Sequence, residues 1–378
     1  MVKHLHIILL FLLTIVGGQM AKAQTYDYLV FEQNGLYYLI DDDGNAQIIE
    51  GAFGAYYIEH NGDLSGWDYD AEYDILPGYR GNVTVPAEVT YQGKEYSVIS
   101  IYGLDNNPYL TALTVNAPLM SLYFYYAPEL RSLTLNNTEQ LTTVSISQTG
   151  LTTFHIPAAV TYAYFSENTS MKSVTVSPGN QAYTSVNGML AEAPQQYYWP
   201  VRYVPEGIEG ALVFPEGITH CTNIANCKKV TEVVIPSTFD VYAIRELLNG
   251  TADIKVTIGN DNVNMAVIDN DFITNKAKDS VIYIIPSNAE ALTIPEGIRY
   301  ADLSYLASFS YGVKYDENGQ GDYDYYNVVL SGCRPHVKTI SLPSTFEVKT
   351  NSNNPYYYDG LPSYLTQAYE LQTITVAG

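Results

Sequence analysis

Residues Leu130–Pro157 read LRSLTLNNTEQLTTVSISQTGLTTFHIP, and one phrase occurs there three times: LRSLTL, LTTVSI and LTTFHI. Each runs large apolar, two polar, large apolar, one polar, large apolar. It returns as LTALTV from Leu110, MKSVTV from Met171, VTEVVI from Val230, VKTISL from Val337 and LQTITV from Leu371. A helix would place apolar residues at i, i+3, i+4 and i+7 without a break. Here the last three positions alternate as a strand does, and the phrase then stops. A strand this short has too little apolar face to fold alone. Stacking many of them in parallel buries a shared interior, which is the logic of a solenoid. The spacing near the opening stretch predicts one coil for every phrase, each ten or eleven residues long.

Longer repeats point the same way. CKKVTEVVIPSTFDV (Cys227–Val241) matches CRPHVKTISLPSTFEV (Cys333–Val348) with one residue inserted. ALVFPEGI (Ala211–Ile218) matches ALTIPEGI (Ala291–Ile298), and NGML (Asn187–Leu190) and NDFI (Asn270–Ile273) precede them. The opening unit GNVTVPAEVTYQGKEYSVISI (Gly81–Ile101), the PEGI and PSTF turns, the NCKKVTEVVIP phrase and NGML together resemble the BspA-like leucine-rich-repeat proteins. The resemblance covers roughly residues 80–378. It implies a mainly β leucine-rich-repeat solenoid on a secreted or surface protein of the kind found in gut and oral bacteria. Some members of that family act as adhesins. The repeat spacing is irregular and the usual "AF" turn after the strands is missing, which leaves the coil count open.

The remaining organisation divides into a leader at residues 1–23, a β-hairpin cap region at 24–80, and the solenoid at 81–378 with an inserted loop near 300–330. In the leader, Lys3 precedes the apolar run Ile7–Val16, and Ala21-Lys22-Ala23 offers small residues for cleavage after Ala23. Ten apolar residues are too few to span a bilayer, which needs about 20. The expected location is therefore secreted, at the cell surface or in the periplasm. QNGLYYLIDDDGNAQIIE (Gln33–Glu50) reads as two strands around a DDDGN turn. DYDAEYD (Asp68–Asp74) alternates as a strand with one charged side. The segment Tyr311–Asn327 is rich in Gly, Asn, Asp and Tyr, and reads as an exposed loop or hairpin.

Composition narrows the partners. Forty acidic residues face 18 basic ones, a net charge of −22. That balance repels nucleic acid and anionic membrane surfaces. With three cysteines there is no disulfide scaffold, so the core must come from packing. Cys221, Cys227 and Cys333 read as buried packing residues, with a Cys221–Cys227 disulfide as the alternative.

No catalytic signature is present. His60, His155, His220 and His336 stand in no zinc spacing, and there is no GxSxG elbow or phosphate loop. The reading is non-enzymatic, with no cofactor except a candidate Ca²⁺ loop at Asp316, Asn318, Gln320, Asp322 and Asp324. Two kinds of binding surface are candidates. The single polar position of each phrase forms a ladder of small groups: Thr114, Thr134, Ser145, His155, Thr175, Ser341 and Thr375, with Val234 in the same place. Aromatic clusters are the other: Tyr123, Tyr125 and Tyr126; Tyr197, Tyr198 and Trp199; Tyr323, Tyr325 and Tyr326; and Tyr356 to Tyr358. Exposed aromatics anchor protein partners and also stack on sugars. The expected function is an adhesin-like interaction protein that meets a host-matrix or bacterial-surface protein. Glycan binding is the alternative, and a structural envelope component is third.

Overall fold

The computed structural model describes residues 28–64, 79–195, 198–259, 261–303, 306–315, 321–347 and 368–377. The expected leader, the alternating strand Asp68–Asp74, Tyr197 and Tyr356 to Tyr358 lie outside them. So do Asp316, Asn318 and Gln320 of the candidate Ca²⁺ loop. Packing divides the chain into two units, Met1–Tyr79 with Glu88–Leu104, and Arg80–Ala87 with Asp105–Gly378.

Along the chain come β1 (Leu29–Gln33), β2 (Leu36–Ile40), β3 (Ala46–Ile48), α1 (Gly51–Glu59), β4 (Gly81–Val85), β5 (Glu88–Tyr91) and β6 (Lys94–Ser100). All but β4 belong to the first unit, whose sheet runs β1-β2-β3-β6-β5. Asn34 and Gly35 both take positive φ, 56° and 80°, which gives the first hairpin the tight turn that matches strand twist. The DDDGN segment closes the second: the Asp41 carboxylate accepts the backbone N–H of Asn45 at 2.8 Å and that of Asp43 at 3.1 Å. Phe31 stacks on Tyr38 and Tyr91, at 5.5 and 4.5 Å between ring centres. Helix α1 has no counterpart in the strand reading. Its Gly54 lies so close to Tyr37 that an added Cβ would sit 2.5 Å from that side chain.

The second unit continues with β7 (Leu110–Val115), β8 (Ser121–Phe124), β9 (Ser132–Leu135), β10 (Thr143–Ser147), β11 (Thr153–Ile156), β12 (Tyr162–Ser166) and β13 (Ser173–Val176). After them come β14 (Tyr183–Val186), β15 (Met189–Glu192), β16 (Pro200–Tyr203), β17 (Gly210–Val213), β18 (His220–Cys221) and β19 (Val230–Ile235). Then follow α2 (Ile244–Leu248), β20 (Lys255–Ile258), β21 (Met265–Ile268), β22 (Phe272–Asn275), β23 (Val281–Ile284), β24 (Ala291–Thr293), β25 (Ser308–Tyr315), β26 (Gly321–Ser331), β27 (Thr339–Leu342) and β28 (Thr373–Val376). The fold is a mainly β repeat of short parallel strands.

The repeat has a longer pitch than the sequence suggests. Thr114 pairs with Thr134, and Thr153 with Ser173. On a second face Ser121 pairs with Thr143, and Thr143 with Tyr162. Every partner lies two phrases further along the chain, not one. Each coil therefore spends the length of two phrases and contributes two strands, one to each face. The three phrases of Leu130–Pro157 are not successive rungs: β9 pairs back to β7, β10 to β8, and β11 forward to β13. They look alike because both faces point every second residue into the same interior. Leu113, Leu122, Phe124, Val144, Ile146, Phe154 and Ile156 are all buried there. Leu133 and Leu135 are half-buried, on the edge strand β9.

The PEGI and PSTF turns clasp one coil to another. The Glu216 carboxylate accepts Ser237 N–H at 2.9 Å and the Ser237 hydroxyl at 2.7 Å. Thr238 Oγ1 accepts Gly217 N–H and donates to the Ile218 carbonyl, both at 2.9 Å. Glu296, Ser344, Gly297, Thr345 and Ile298 repeat the pattern at 2.9 to 3.1 Å. Gly217 and Gly297 adopt φ of +100° and +94°, a backbone that disfavours any side chain. Between the second pair of clasped turns, β25 and β26 form a long antiparallel hairpin.

All three cysteines are free and buried. Cys227 and Cys333, equivalent in the repeat, each direct Sγ at a backbone carbonyl, of Val204 and Leu306, at 3.7 and 3.8 Å. Burial raises the pKa of both thiols, to about 12 for Cys227 and about 11 for Cys333.

Candidate interaction surface

The outward side of the sheet β12-β10-β8 holds the largest aromatic group on the second unit. Strand alternation turns Leu122 and Phe124, Val144 and Ile146, and Phe165 inward. It turns Tyr123, Ser145 and Tyr164 outward in one row, with Ser121, Thr143 and Tyr162 in the row beside it. Tyr123, Tyr125, Tyr126, Tyr162 and Tyr164 are each between 37% and 55% exposed, and Met120 is 65% exposed. Isolated exposed apolar residues are ordinary, but a contiguous patch marks a contact surface.

The geometry is ordered. The rings of Tyr123 and Tyr125 lie 6.2 Å apart and 18° from parallel. Tyr125 N–H donates to Asp105 Oδ1 at 2.8 Å, which fixes the bend that brings its ring back beside β8. Burial raises the pKa of the Tyr125 hydroxyl, and the neighbouring Asp105, Tyr123 and Tyr162 oxygens raise it further. Tyr162 is thus a near neighbour of Tyr125, although three strands of sequence lie between them. Ser145 sits between Tyr123 and Tyr164 and is only 6% exposed. A small side chain on the middle strand leaves room for large rings on both flanks.

Beyond β12 the ladder is interrupted, and a depression of about 260 Å³ opens beside Tyr164, with Arg202, Glu206, Thr222, Asn223 and Asn226 on its wall. The Glu206 carboxylate is buried, accepting Glu167 N–H at 2.7 Å and the Tyr203 hydroxyl at 3.0 Å. Desolvation by burial raises its pKa despite those donors. Arg202 Nε donates to Glu192 Oε1 at 2.6 Å.

The ladder positions expected from sequence fall on separate sheets. Thr114 and Thr134 share one with Thr84. His155 pairs with Thr175 and meets its hydroxyl at 2.9 Å, with the Ser177 hydroxyl at 2.8 Å on the other ring nitrogen. Ser341 lies between Thr293 and Thr375, and Thr375 Oγ1 donates to Ser341 Oγ at 3.0 Å. Val234 lies between Val213 and Thr257. Ser145 is covered rather than presented, because its flanking tyrosines overhang it.

Among the aromatic candidates, Trp199 is structural. Its Nε1 donates to the Glu192 carbonyl at 3.0 Å, and its ring packs over Gly217, where an added Cβ would come within 2.9 Å. Tyr198 is partly exposed and its ring tilts against His220, 4.9 Å away. Tyr323, Tyr325 and Tyr326 lie on β26, as do Asp322 and Asp324, whose backbone partners across the hairpin are Lys314 and Gly312. Reading by phrase singles out Tyr123, Tyr125 and Tyr126, but not Tyr162 or Tyr164. The alternation TYAYF (Thr161–Phe165) is the signal that could have found them.

Among the described residues no helix is long and apolar enough to cross a membrane. No family model matches the chain, and no curated protein matches it. Three solved structures are similar to it. A leucine-rich cell surface protein from Faecalibacterium prausnitzii is 15% identical over 94% of this chain and 96% of its own, with a TM-score of 0.35. A leucine-rich repeat protein from Eubacterium ventriosum is 12% identical over 93% and 85%, with a TM-score of 0.36. The pneumococcal vaccine antigen PcpA is 14% identical over 92% and 70%, with a TM-score of 0.30.

Proposed function

We propose that this is a non-catalytic interaction protein, exported to the cell surface or periplasm, which presents the tyrosine face of β8, β10 and β12 to a protein partner. The observation that carries this reading is the contiguity of Tyr123, Tyr125, Tyr162 and Tyr164, assembled from two strands that are distant in sequence. Tyrosine gives large contact area for little lost side-chain entropy, and such residues dominate binding energy when a partner covers them. The two outward rows carry only tyrosine, serine and threonine, so a partner need not strip water from ions to seat on them.

A second reading is a saccharide contact, favoured by the polar depression with Arg202 and Asn226 beside the Tyr164 ring. One experiment separates them. The mature chain is measured by interferometry against a panel of matrix proteins, bacterial envelope proteins and polysaccharides. A saturable protein ligand whose affinity falls at least about tenfold in Tyr123→Ala/Tyr164→Ala supports the first reading. A glycan lost in the same variant and in Arg202→Ala supports the second. A ligand unaffected by either variant overturns the assignment of this face. Absence of binding throughout favours a structural envelope role.

A further inference from the structure

A second place in the fold is built to take a partner, and it is distinct from the tyrosine face. The repeat contains two hairpins of the same kind, each following the last strand of a parallel ladder. In the first, β14-β15 follows β13; in the second, β21-β22 follows β20. Counting from the hairpin turns, Ser185 and Val267 each stand one residue before the last paired residues, Val186 and Ile268. Val174 and Val256 are each the second residue of the preceding strand. Val174 and Ser185 stand as far apart in sequence as Val256 and Val267, so the two seams are equivalent.

The first seam is laced shut. Ser185 Oγ donates to the Val174 carbonyl at 2.6 Å, and Val174 N–H donates to the Gly188 carbonyl at 2.7 Å. In the second, Val267 has no hydroxyl to offer. Only Asn270 bridges, accepting Val256 N–H at 2.8 Å and donating to the Ile254 carbonyl at 3.3 Å. Beyond that bridge the strands part. A groove of about 330 Å³ opens between β20 and β21, with Val256, Ile258, Met265 and Val267 along it. β20 ends its ladder here: Gly259 N–H donates back to Ile235, so Ile258 N–H faces the groove and has no partner among the described residues. An unpaired strand edge is a template for another strand.

The rim supplies the chemistry. Lys276 and Lys278, on the turn between β22 and β23, both border the groove. Basic residues are scarce in a chain of net charge −22, and general repulsion keeps acidic segments away from its surface. A preference for acidic sequence can arise only from a local site of this kind. We infer that the β20–β21 groove binds an extended, acidic segment of a partner protein, which adds a short strand beside β20 with its carboxylates on Lys276 and Lys278. The volume suits about three residues of extended chain.

The test uses the full mature chain and two labelled nine-residue probes, one alternating Glu and Val, the other Lys and Val. Fluorescence anisotropy is expected to show the acidic probe binding at least about tenfold more tightly, with Ile258 amide exchange slowed on binding. Val267→Ser restores the hydroxyl that laces the first seam, and is expected to abolish binding with no change of charge. Lys276→Glu/Lys278→Glu is expected to weaken the acidic probe and favour the basic one, while Tyr123→Ala/Tyr164→Ala leaves both unchanged. Equal affinity for the two probes, or acidic binding that survives both groove variants, overturns the inference. So does no binding at all.

Discussion

Arg334 is the most deeply buried charged side chain described in the second unit, and it allows an asymmetric prediction. Its side chain is 1% exposed, while that of its ion-pair partner Asp271 is 41% exposed. Its Nε is buried with no partner, so the guanidinium gives up water at one nitrogen for nothing in return. Asp271→Asn removes the compensating charge and strands the cation in the interior. Breaking a buried pair this way costs about 3–5 kcal/mol, and water reaching the Asp271 side trims that to about 2–3 kcal/mol. Arg334→Met instead removes the expensive group, fills similar space with apolar atoms, and leaves Asp271 free to be solvated. Its cost is expected to lie within about 1 kcal/mol of zero. The double variant should match Arg334→Met alone, because Asp271 has nothing left to compensate. Urea unfolding of the four proteins at one ionic strength measures all three values. A loss in Arg334→Met equal to or greater than that in Asp271→Asn would refute the reasoning.

Two further predictions concern carboxylates of the PEGI turns, and they have opposite signs. Glu206 has its pKa raised by burial, so its folded state favours the proton. Stability is then greatest below the unfolded carboxyl value, about 4.3, and falls as pH rises through the higher folded one. Glu206→Gln keeps an acceptor for Glu167 N–H without the charge, so its melting temperature relative to the parent should climb between about pH 4 and pH 7; a constant difference would contradict this. Glu216 has its pKa lowered, first by the Ser237 backbone N–H and then by the Ser237 hydroxyl. Its contribution is present above the unfolded value and lost as pH falls through the lower folded one. Because Glu216 is exposed, Glu216→Ala should cost only about 0.5–1 kcal/mol at neutral pH, and the deficit should disappear in acid.

The strands and the two kinds of turn were legible because each is a local pattern. Apolar alternation marked the inward residues, and Asn34-Gly35 and Gly44 sit at turns that require positive φ. The pitch was not legible, because the phrases at Leu130, Leu141 and Leu151 carry the same inward pattern on two faces. That error propagated to the surface. A coil of one phrase would place Thr134, Ser145 and His155 in one column, whereas the register puts them on three sheets. It also hid the tyrosine face, since Tyr123 and Tyr164 become neighbours of Ser145 only at the longer pitch. Trp199 looked like a surface platform because its neighbours are aromatic. Its contact with Gly217, on the far side of β17, is a coil-to-coil packing that no local pattern announces. Helix α1 was missed for a different reason. GAFGAYYIE is rich in glycine and aromatics, poor helix formers that packing against Tyr37 overrides.

The coil of two phrases and two strands underlies the tyrosine face, and cross-linking measures it directly. Thr114 and Thr134 are paired residues that both turn outward. The variant Thr114→Cys/Thr134→Cys should therefore form an intramolecular disulfide on mild oxidation of the folded chain, mapped by mass spectrometry. Thr134→Cys/Ser145→Cys, adjacent only if each phrase were its own coil, should remain reduced under the same conditions. A disulfide in the second variant and none in the first would contradict the two-strand coil and the tyrosine face built on it.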